Sequence, residues 1–352
     1  LMLFHSLEVA IFIPIVFGLY LVLEHKWQNR MLLLASYVFY GAWDWRFLSL
    51  LLVSTIVDYF CGKQIENTDD KRIKKRFVSL SLFINLSLLG VFKYYDFFAL
   101  SFKNLVGTFG LSVDPFLLNI ILPIGISFYT FQTISYTIDV SRGKVKACRN
   151  ILDFGLYVSF FPQLIAGPIE RGTRLLPQIL APRTVTIDGV YKGAYFFLWG
   201  MFLKVFGADN LAKIADVVFI QDGPYSGINV ILASYAFSLQ IYCDFAGYSF
   251  MAIGLGKALG IELMENFRRP YFSLNISEFW RRWHISLSSW FRDYVFSPFY
   301  IYCKNRLKFK NVPLRARHGI AFFIALLLTE AVLGLWHGAG WNYVFFGVYH
   351  GL

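Results

Sequence analysis

The sequence predicts an all-α, polytopic membrane protein, and three observations carry that reading. Of 352 residues, 57% are hydrophobic and 16% charged, with a mean hydropathy of +0.53, well beyond a soluble domain. The apolar residues come in long runs without the regular ten-residue alternation of a barrel. Helices are then the elements that satisfy their own backbone in hydrocarbon. The excess of 33 basic over 22 acidic residues, net +11, collects between the runs and leaves no footprint for nucleic acid.

Along the chain the apolar stretches fall at 7–23, 31–43, 47–62, 77–92, 116–140, 151–166, 190–206, 228–260, 318–336 and 341–352. The first has no cationic stretch before it and no small-residue cleavage site after it, so it reads as a retained span rather than a signal peptide. Stretches 31–43 and 151–166, short and interrupted by Gly, Pro or Asp, read as half-spans. Such pieces survive only where protein or a water-filled cavity covers them, which predicts an internal cavity. No internal repeat or pair of matching halves is visible, which argues against a transporter.

Two loops are strongly basic: 63–76 holds six Lys or Arg in 14 residues, and 141–150 holds four in ten. The positive-inside rule places both in the cytoplasm. The four cysteines (Cys61, Cys148, Cys243, Cys303) are far apart with no C-x-x-C pair, the pattern of reduced packing residues rather than a disulfide framework or zinc site. The chain begins with leucine and stops directly after an apolar segment, so the whole of 1–352 reads as one membrane-embedded domain, incomplete at its C-terminus.

Region 261–317 reads as interfacial helices and loops. Within it, "NISEFWRRWHISLSSWFRDYVF" has Asn275 and Glu278 at capping-box spacing. At 100° per residue Trp280, Trp283, His284, Leu287, Trp290, Phe291 and Tyr294 share an arc of about 120°, with Arg281, Arg282 and Arg292 outside it. A single helix lying in the membrane interface is expected, its arginines toward headgroups or a passing anion. Anchoring alone does not explain His284 inside the apolar stripe.

Ionisable groups within spans are costly, so each is a candidate for function. Asp244, one turn after Gln240, suits either a helix-to-helix hydrogen bond or chemistry. Glu330 precedes His337 by two turns and would share its face, able to orient or charge-pair the imidazole if the helix stays regular past Gly334. His337 ends a 17-residue run whose only formal charge is Glu330. A neutral imidazole in an apolar site can accept a proton, which suits a general base. Gly338 and Gly340 would let a substrate approach the backbone, and Trp336, Trp341 and Asn342 could wall and polarise the site.

The stretch "SEFWRRWHISLSSWFRDY", followed some fifty residues later by "LWHGAGWNYVFFGVYHG", resembles the membrane-bound O-acyltransferase family in its bacterial alginate O-acetyltransferase branch. Supporting stretches in the same order are "MLLLASYVFYGAWDWRFLSLLL" (31–52), "LPIGISFYTFQTISYTIDVSRG" (122–143), "FFPQLIAGPIERGTRLLPQI" (160–179) and "MENFRRPYF" (264–272). The resemblance runs from near residue 3 to the end. It implies a ring of tilted and broken transmembrane helices around a central funnel or tunnel, in a bacterial inner membrane. It further implies that His337 deprotonates an acceptor hydroxyl attacking an activated acyl carbonyl, and that His284 is the second histidine of the pair, binding substrate or assisting proton transfer.

The implied donor is a cytoplasmic thioester, acetyl-CoA foremost, with no metal and no tightly bound cofactor. The implied acceptor is an exported cell-surface polysaccharide or a periplasmic relay partner. Trp336, Asn342, Trp283, Arg281, Asp244 and Glu330 are the candidates for lining the tunnel. D-alanyl transfer from a carrier protein to teichoic acid is the related alternative, and a transporter or an export-complex scaffold the alternatives from other classes. The sequence departs from the family pattern at Phe299 and Tyr300, and at Ala246 and Phe250, where a serine and an acidic residue are usual.

Overall fold

The computed structural model describes residues 4–221, 223–306 and 313–352, and among these every regular element is helical. Helices α1 (Leu7–Val22), α2 (His25–Asp44) and α3 (Leu48–Glu66) open the chain. The expected half-span at 31–43 is instead a 20-residue helix, long enough to cross. Its first turns are polar and so drop out of a hydropathy reading, yet Asn29 is buried and donates to Asp153 Oδ1 at 2.9 Å and to the Ile179 carbonyl at 3.0 Å. The α-helical path breaks at Asp44, where the backbone is extended. Glu66, at the far end of α3, accepts from the Ala147 amide at 3.3 Å, close in sequence to the Asp153 that holds Asn29. Helices α2 and α3 therefore cross and return, and loops 63–76 and 141–150 lie on one face, called here the basic face.

From that face α4 (Lys71–Leu89), a π-helical segment (Gly90–Tyr94) and α5 (Tyr95–Gly107) run on as one 37-residue stretch, about 55 Å at 1.5 Å per residue. Its end reaches the opposite face. There the Asp96 carboxylate accepts from the Leu118 and Asn119 amides at 2.8 and 3.0 Å, tying the irregular segment before α6 (Ile126–Ser141) to the helix. The apolar run at 116–140 is thus helical only in its second half. Pro123 and the left-handed Gly125 (φ 75°) set the start.

Helices α7 (Ile151–Ser159), α8 (Phe161–Leu164) and α9 (Gly172–Leu180) are short and broken, as the Gly and Pro pattern of this stretch predicts. The breaks are tolerable because protein covers them: Phe160, Phe161, Gln163 and Glu170 are buried, and Gln163 donates to the Tyr157 carbonyl at 3.0 Å. The long α12 (Gly227–Ala258) packs along α10 (Ile187–Met201), with a second π segment (Phe202–Ala208) and α11 (Asp209–Phe219) between them in sequence. Gly200 and Gly247 make this close packing possible, because a Cβ on Gly200 would lie 2.4 Å from the Gly247 carbonyl oxygen. Tyr20 donates to the Leu259 carbonyl at 2.8 Å, placing the end of α12 beside that of α1.

The chain closes with α13 (Ile276–Arg282), α14 (Ile285–Phe291), a third π segment (Arg292–Phe296), α15 (Ser297–Arg306), α16 (Leu314–His337) and α17 (Trp341–Gly351). Within the expected interfacial region 261–317, residues 307–312 lie outside the described residues. Four helical stretches, His25–Glu66, Lys71–Gly107, Gly227–Ala258 and Leu314–His337, are long and apolar enough to cross a membrane, and α1 is a shorter apolar helix. The protein is an all-α, multi-pass membrane protein.

Candidate functional site

The segment expected as one amphipathic helix is two helices joined at a sharp corner. Asn275 caps α13 as its sequence predicts, its side-chain oxygen accepting from the Glu278 amide at 2.9 Å; Glu278 reaches back to the Leu274 amide at 2.7 Å. At Trp283 the backbone turns extended, and at His284 it is left-handed (φ 43°, ψ 54°), so the helical arc drawn through both residues does not exist. Beyond the corner, Leu287, Trp290 and Phe291 are buried inside the protein rather than laid on an interface, with Trp290 stacked on Phe131 at 4.2 Å.

What holds the corner is Asn266, in the "MENFRRPYF" stretch. Its carbonyl accepts from the Ile285 amide at 2.9 Å, its side-chain oxygen accepts from Ser286 at 2.6 Å, and its amide donates to Ser249 of α12 at 2.9 Å. Left-handed backbone is costly for a residue with a Cβ, on the order of 1–3 kcal/mol, and persists where the surroundings over-determine it. The result is that the His284 imidazole is driven into the interior, 4% exposed, between Phe245 (4.5 Å, edge-on), Phe267 and Trp336. Burial, with His337 as a second and smaller cause, pushes its pKa down to about 3, so the ring is neutral. Its Nε2 is buried without a hydrogen-bond partner, as is the indole Nε1 of Trp336.

His337 is the last residue of α16, which folds back on α17 at very short range. Gly334 and Gly347 permit this: a Cβ on either would come within 2.2 or 2.1 Å of the Tyr343 or Glu330 carbonyl oxygen. Gly338 lines the same cavity as His337, and it also has a packing role. A Cβ there would lie 2.1 Å from the Tyr343 ring, so its smallness serves packing. The His337 ring contacts Trp336 (4.9 Å between centroids) and Phe346 (5.9 Å). Trp336 in turn lies 6.0 Å from His284, so the two histidines meet through one indole.

Of the two histidines, His337 lines a cavity and His284 is packed behind the wall of another. His337 lines one of about 270 Å³ with Lys93, Asp96, Leu118, Leu122 and Ala339, on the side where Asp96 and Trp341 gather. Phe267, packed on His284, lines another of about 790 Å³ with Tyr242, Arg269, Arg281 and Arg282. Four arginines (268, 269, 281, 282) and two glutamates (265, 278) stand in that second wall. Arg268 pairs with Glu265 at 2.6 Å and Arg282 with Glu278, which leaves a net positive lining carried by Arg269 and Arg281. Phe250, one of the departures from the family pattern, lines it too and adds no charge.

The remaining candidates divide. Trp283 stacks on Phe279 at 5.5 Å and packs against Phe267 at 5.0 Å, behind His284; Arg281 faces the arginine-rich cavity. Asp244 stands apart from the histidines, about half exposed, in an ion pair with Lys204 at 2.7 Å, which favours the cross-helix reading. Glu330 keeps a regular helix between itself and His337, but among the described residues no hydrogen bond or ion pair joins them. Asn342 is exposed and does not line the His337 cavity, and Trp341 donates to Ser101 at 3.1 Å. Sequence reasoning missed Asn266, Phe245, Phe267 and Lys93. Of these Lys93 carried a usable signal, a lone cation in the apolar "LLGVFKYYDFF".

Comparison with known proteins places the sequence in a family. The model of the membrane-bound O-acyltransferase family matches residues 147–352, which include both histidines. The chain is 42% identical over 345 residues to the protein named probable alginate O-acetylase AlgI in Azotobacter vinelandii, covering 97% of this chain and 65% of that one. It is 35% identical to the peptidoglycan O-acetyltransferase of Helicobacter pylori (97% and 67% covered) and 32% identical to the teichoic acid D-alanyltransferase of Bacillus subtilis (66% and 58%). The chain spans 63 to 65% of the length of the alginate relatives from A. vinelandii and Pseudomonas aeruginosa. With the paired histidines, the broken helices and these matches in hand, the chain belongs to the membrane-bound O-acyltransferase family.

Proposed function

We propose that the protein transfers an acyl group, acetyl foremost, from a cytoplasmic thioester to a hydroxyl of an exported cell-surface polysaccharide or of a periplasmic relay partner. The observation that carries this is that His284 and His337 both pack against Trp336, with His337 in the wall of one cavity and His284 behind the Phe267 wall of another. Donor and acceptor arriving from opposite faces of a bacterial inner membrane would meet there. The arginine-rich cavity suits the phosphates of acetyl-CoA, since guanidinium groups bind them through charge-assisted bonds while Tyr242 and Phe267 offer ring surface. The His337 cavity, toward the face opposite the basic loops, suits the acceptor.

In this reading His337 takes the proton from the acceptor hydroxyl as its oxygen attacks the thioester carbonyl. A positioned base of this kind contributes typically 10² to 10⁴ in rate. A thioester is already activated, so proximity, a base and a polar environment for the developing oxyanion complete the requirements. The Nε2 of His284 and the Nε1–H of Trp336 are buried without hydrogen-bond partners, polar groups that substrate would satisfy if it reached them. Loops 63–76 and 141–150 would be cytoplasmic, and 1–352 one membrane-embedded unit. Greater identity to the two O-acetyl enzymes than to the D-alanyl enzyme supports acetyl transfer. The test is transfer from ¹⁴C-acetyl-CoA in membranes, with and without His337→Ala; no label transferred by the parent protein refutes acetyl transfer, and equal transfer in both refutes His337 as the base.

A further inference from the structure

A helix that stops leaves its last carbonyls without internal partners. Helix α16 stops at His337, where the chain turns extended at Gly338. Two of its last carbonyls are taken by side chains of another helix: the Tyr94 hydroxyl donates to the Leu335 carbonyl at 3.1 Å, and the Lys93 ammonium donates to that of Trp336. Both donors lie in the π segment Gly90–Tyr94, one of the few places where a helix widens its turn, commonly at functional sites. Lysine commonly caps the end of its own helix, and a cation there also complements the helix dipole. Here it comes from a different helix and stands in an apolar run where a charge is costly.

Capping alone would not require a charge. The Lys93 ammonium also lies 5.5 Å from the Trp336 ring centroid and shares with His337 the wall of the 270 Å³ cavity. We propose that Lys93 is a positioning residue for His337: with Tyr94 it clamps the end of α16 so that the imidazole faces the cavity, and its charge makes that cavity favourable to an anionic oxygen. This rests on the acyl-transfer reading. The acceptor O–H proton passes to His337 while the oxygen forms the new C–O bond and the carbonyl π pair becomes an oxyanion. Collapse restores the carbonyl and breaks the C–S bond, and the thiolate takes the proton back. Lys93 emerges unchanged.

The test uses Lys93→Met, Lys93→Arg and Tyr94→Phe in the membrane-inserted protein, with His337→Ala alongside. Lys93→Met is expected to lower kcat about 10²-fold with donor KM within about twofold, Lys93→Arg to recover most of that loss, and Tyr94→Phe to lose several-fold. Parent kcat in Lys93→Met, or an equal loss in Lys93→Arg, overturns the role given to Lys93. If Lys93→Met does not insert, the rate at which diethyl pyrocarbonate modifies His337, read by mass spectrometry, decides: a changed rate in Tyr94→Phe supports the clamp, and an unchanged rate overturns it. An inactive His337→Ala beside a fully active Lys93→Met refutes only this inference. A fully active His337→Ala refutes the base assignment on which this inference rests, and absence of transfer in the parent protein refutes the acyl-transfer reading itself.

Discussion

The indole of Trp336 stands 6.0 Å from the His284 ring and 4.9 Å from the His337 ring, joining two imidazoles that belong to unconnected helices. His337 lines the smaller cavity, whereas His284 is packed behind Phe267 at the larger one. The site is therefore a junction, and its parts can be tested separately.

His337→Ala is expected to lower the turnover of acyl transfer by at least about 10²-fold while membrane insertion and detergent-solubilised monodispersity are retained. His337→Gln should be equally inactive, since an amide cannot take up the proton. Single-turnover measurement with labelled donor distinguishes lost chemistry from lost binding, and parent-level turnover in either variant refutes the base assignment.

His284 carries a pH signature in stability. Its folded pKa of about 3 lies below the unfolded value of about 6.5, so the unfolded state binds the proton first. The associated stability is present above about pH 6.5 and is lost as pH falls toward 3. Glu170 runs the other way, because burial pushes its carboxyl up to about 7 and the folded state binds that proton first. Comparing Tm between pH 7 and 5 in parent and His284→Gln cancels Glu170: the parent should lose more than the variant. Equal losses would sink the claim that His284 is held neutral.

Neutralising Arg269 and Arg281, which form no ion pair among the described residues, should act on donor binding. Arg281→Gln or Arg269→Gln is expected to raise donor KM several-fold with kcat little changed, and added salt should raise the parent KM in the same direction, since phosphate contacts are screened. An unchanged KM in the double variant would place the donor elsewhere.

Gly338→Ala should fail for steric reasons. The backbone there is extended and open to any residue, but the new Cβ would lie 2.1 Å from the Tyr343 ring. Loss of folded protein on size-exclusion chromatography is expected, with partial recovery in Gly338→Ala/Tyr343→Ala. A well-folded single variant would show that packing against Tyr343 does not require glycine at this position.

Much was legible in the residues alone. Hydrophobic runs located the crossing helices, basic loops 63–76 and 141–150 fell on one face, and the Asn275 cap and both histidines stood out as sequence features. The half-span expected at 31–43 failed because a helix that begins with His25, Lys26 and Arg30 does not look apolar until its second turn. Lys93 was passed over because the apolar run was closed one residue before it, at Phe92.

Composition therefore determined that the chain is a helical membrane protein, through the cost of burying polar groups, and the motifs, through the resemblance they carry, which imidazoles to propose for the site. Tertiary structure alone decided where those imidazoles point. Helical periodicity assumes a continuous helix, and long-range bonds, those of Asn266 to Ile285 and Ser286 and of the Arg268 amide to the Arg282 carbonyl, hold the left-handed turn that sends His284 inward. Likewise the Lys93 and Tyr94 cap on α16 joins residues distant in sequence, a pairing set by packing between helices that no local pattern encodes.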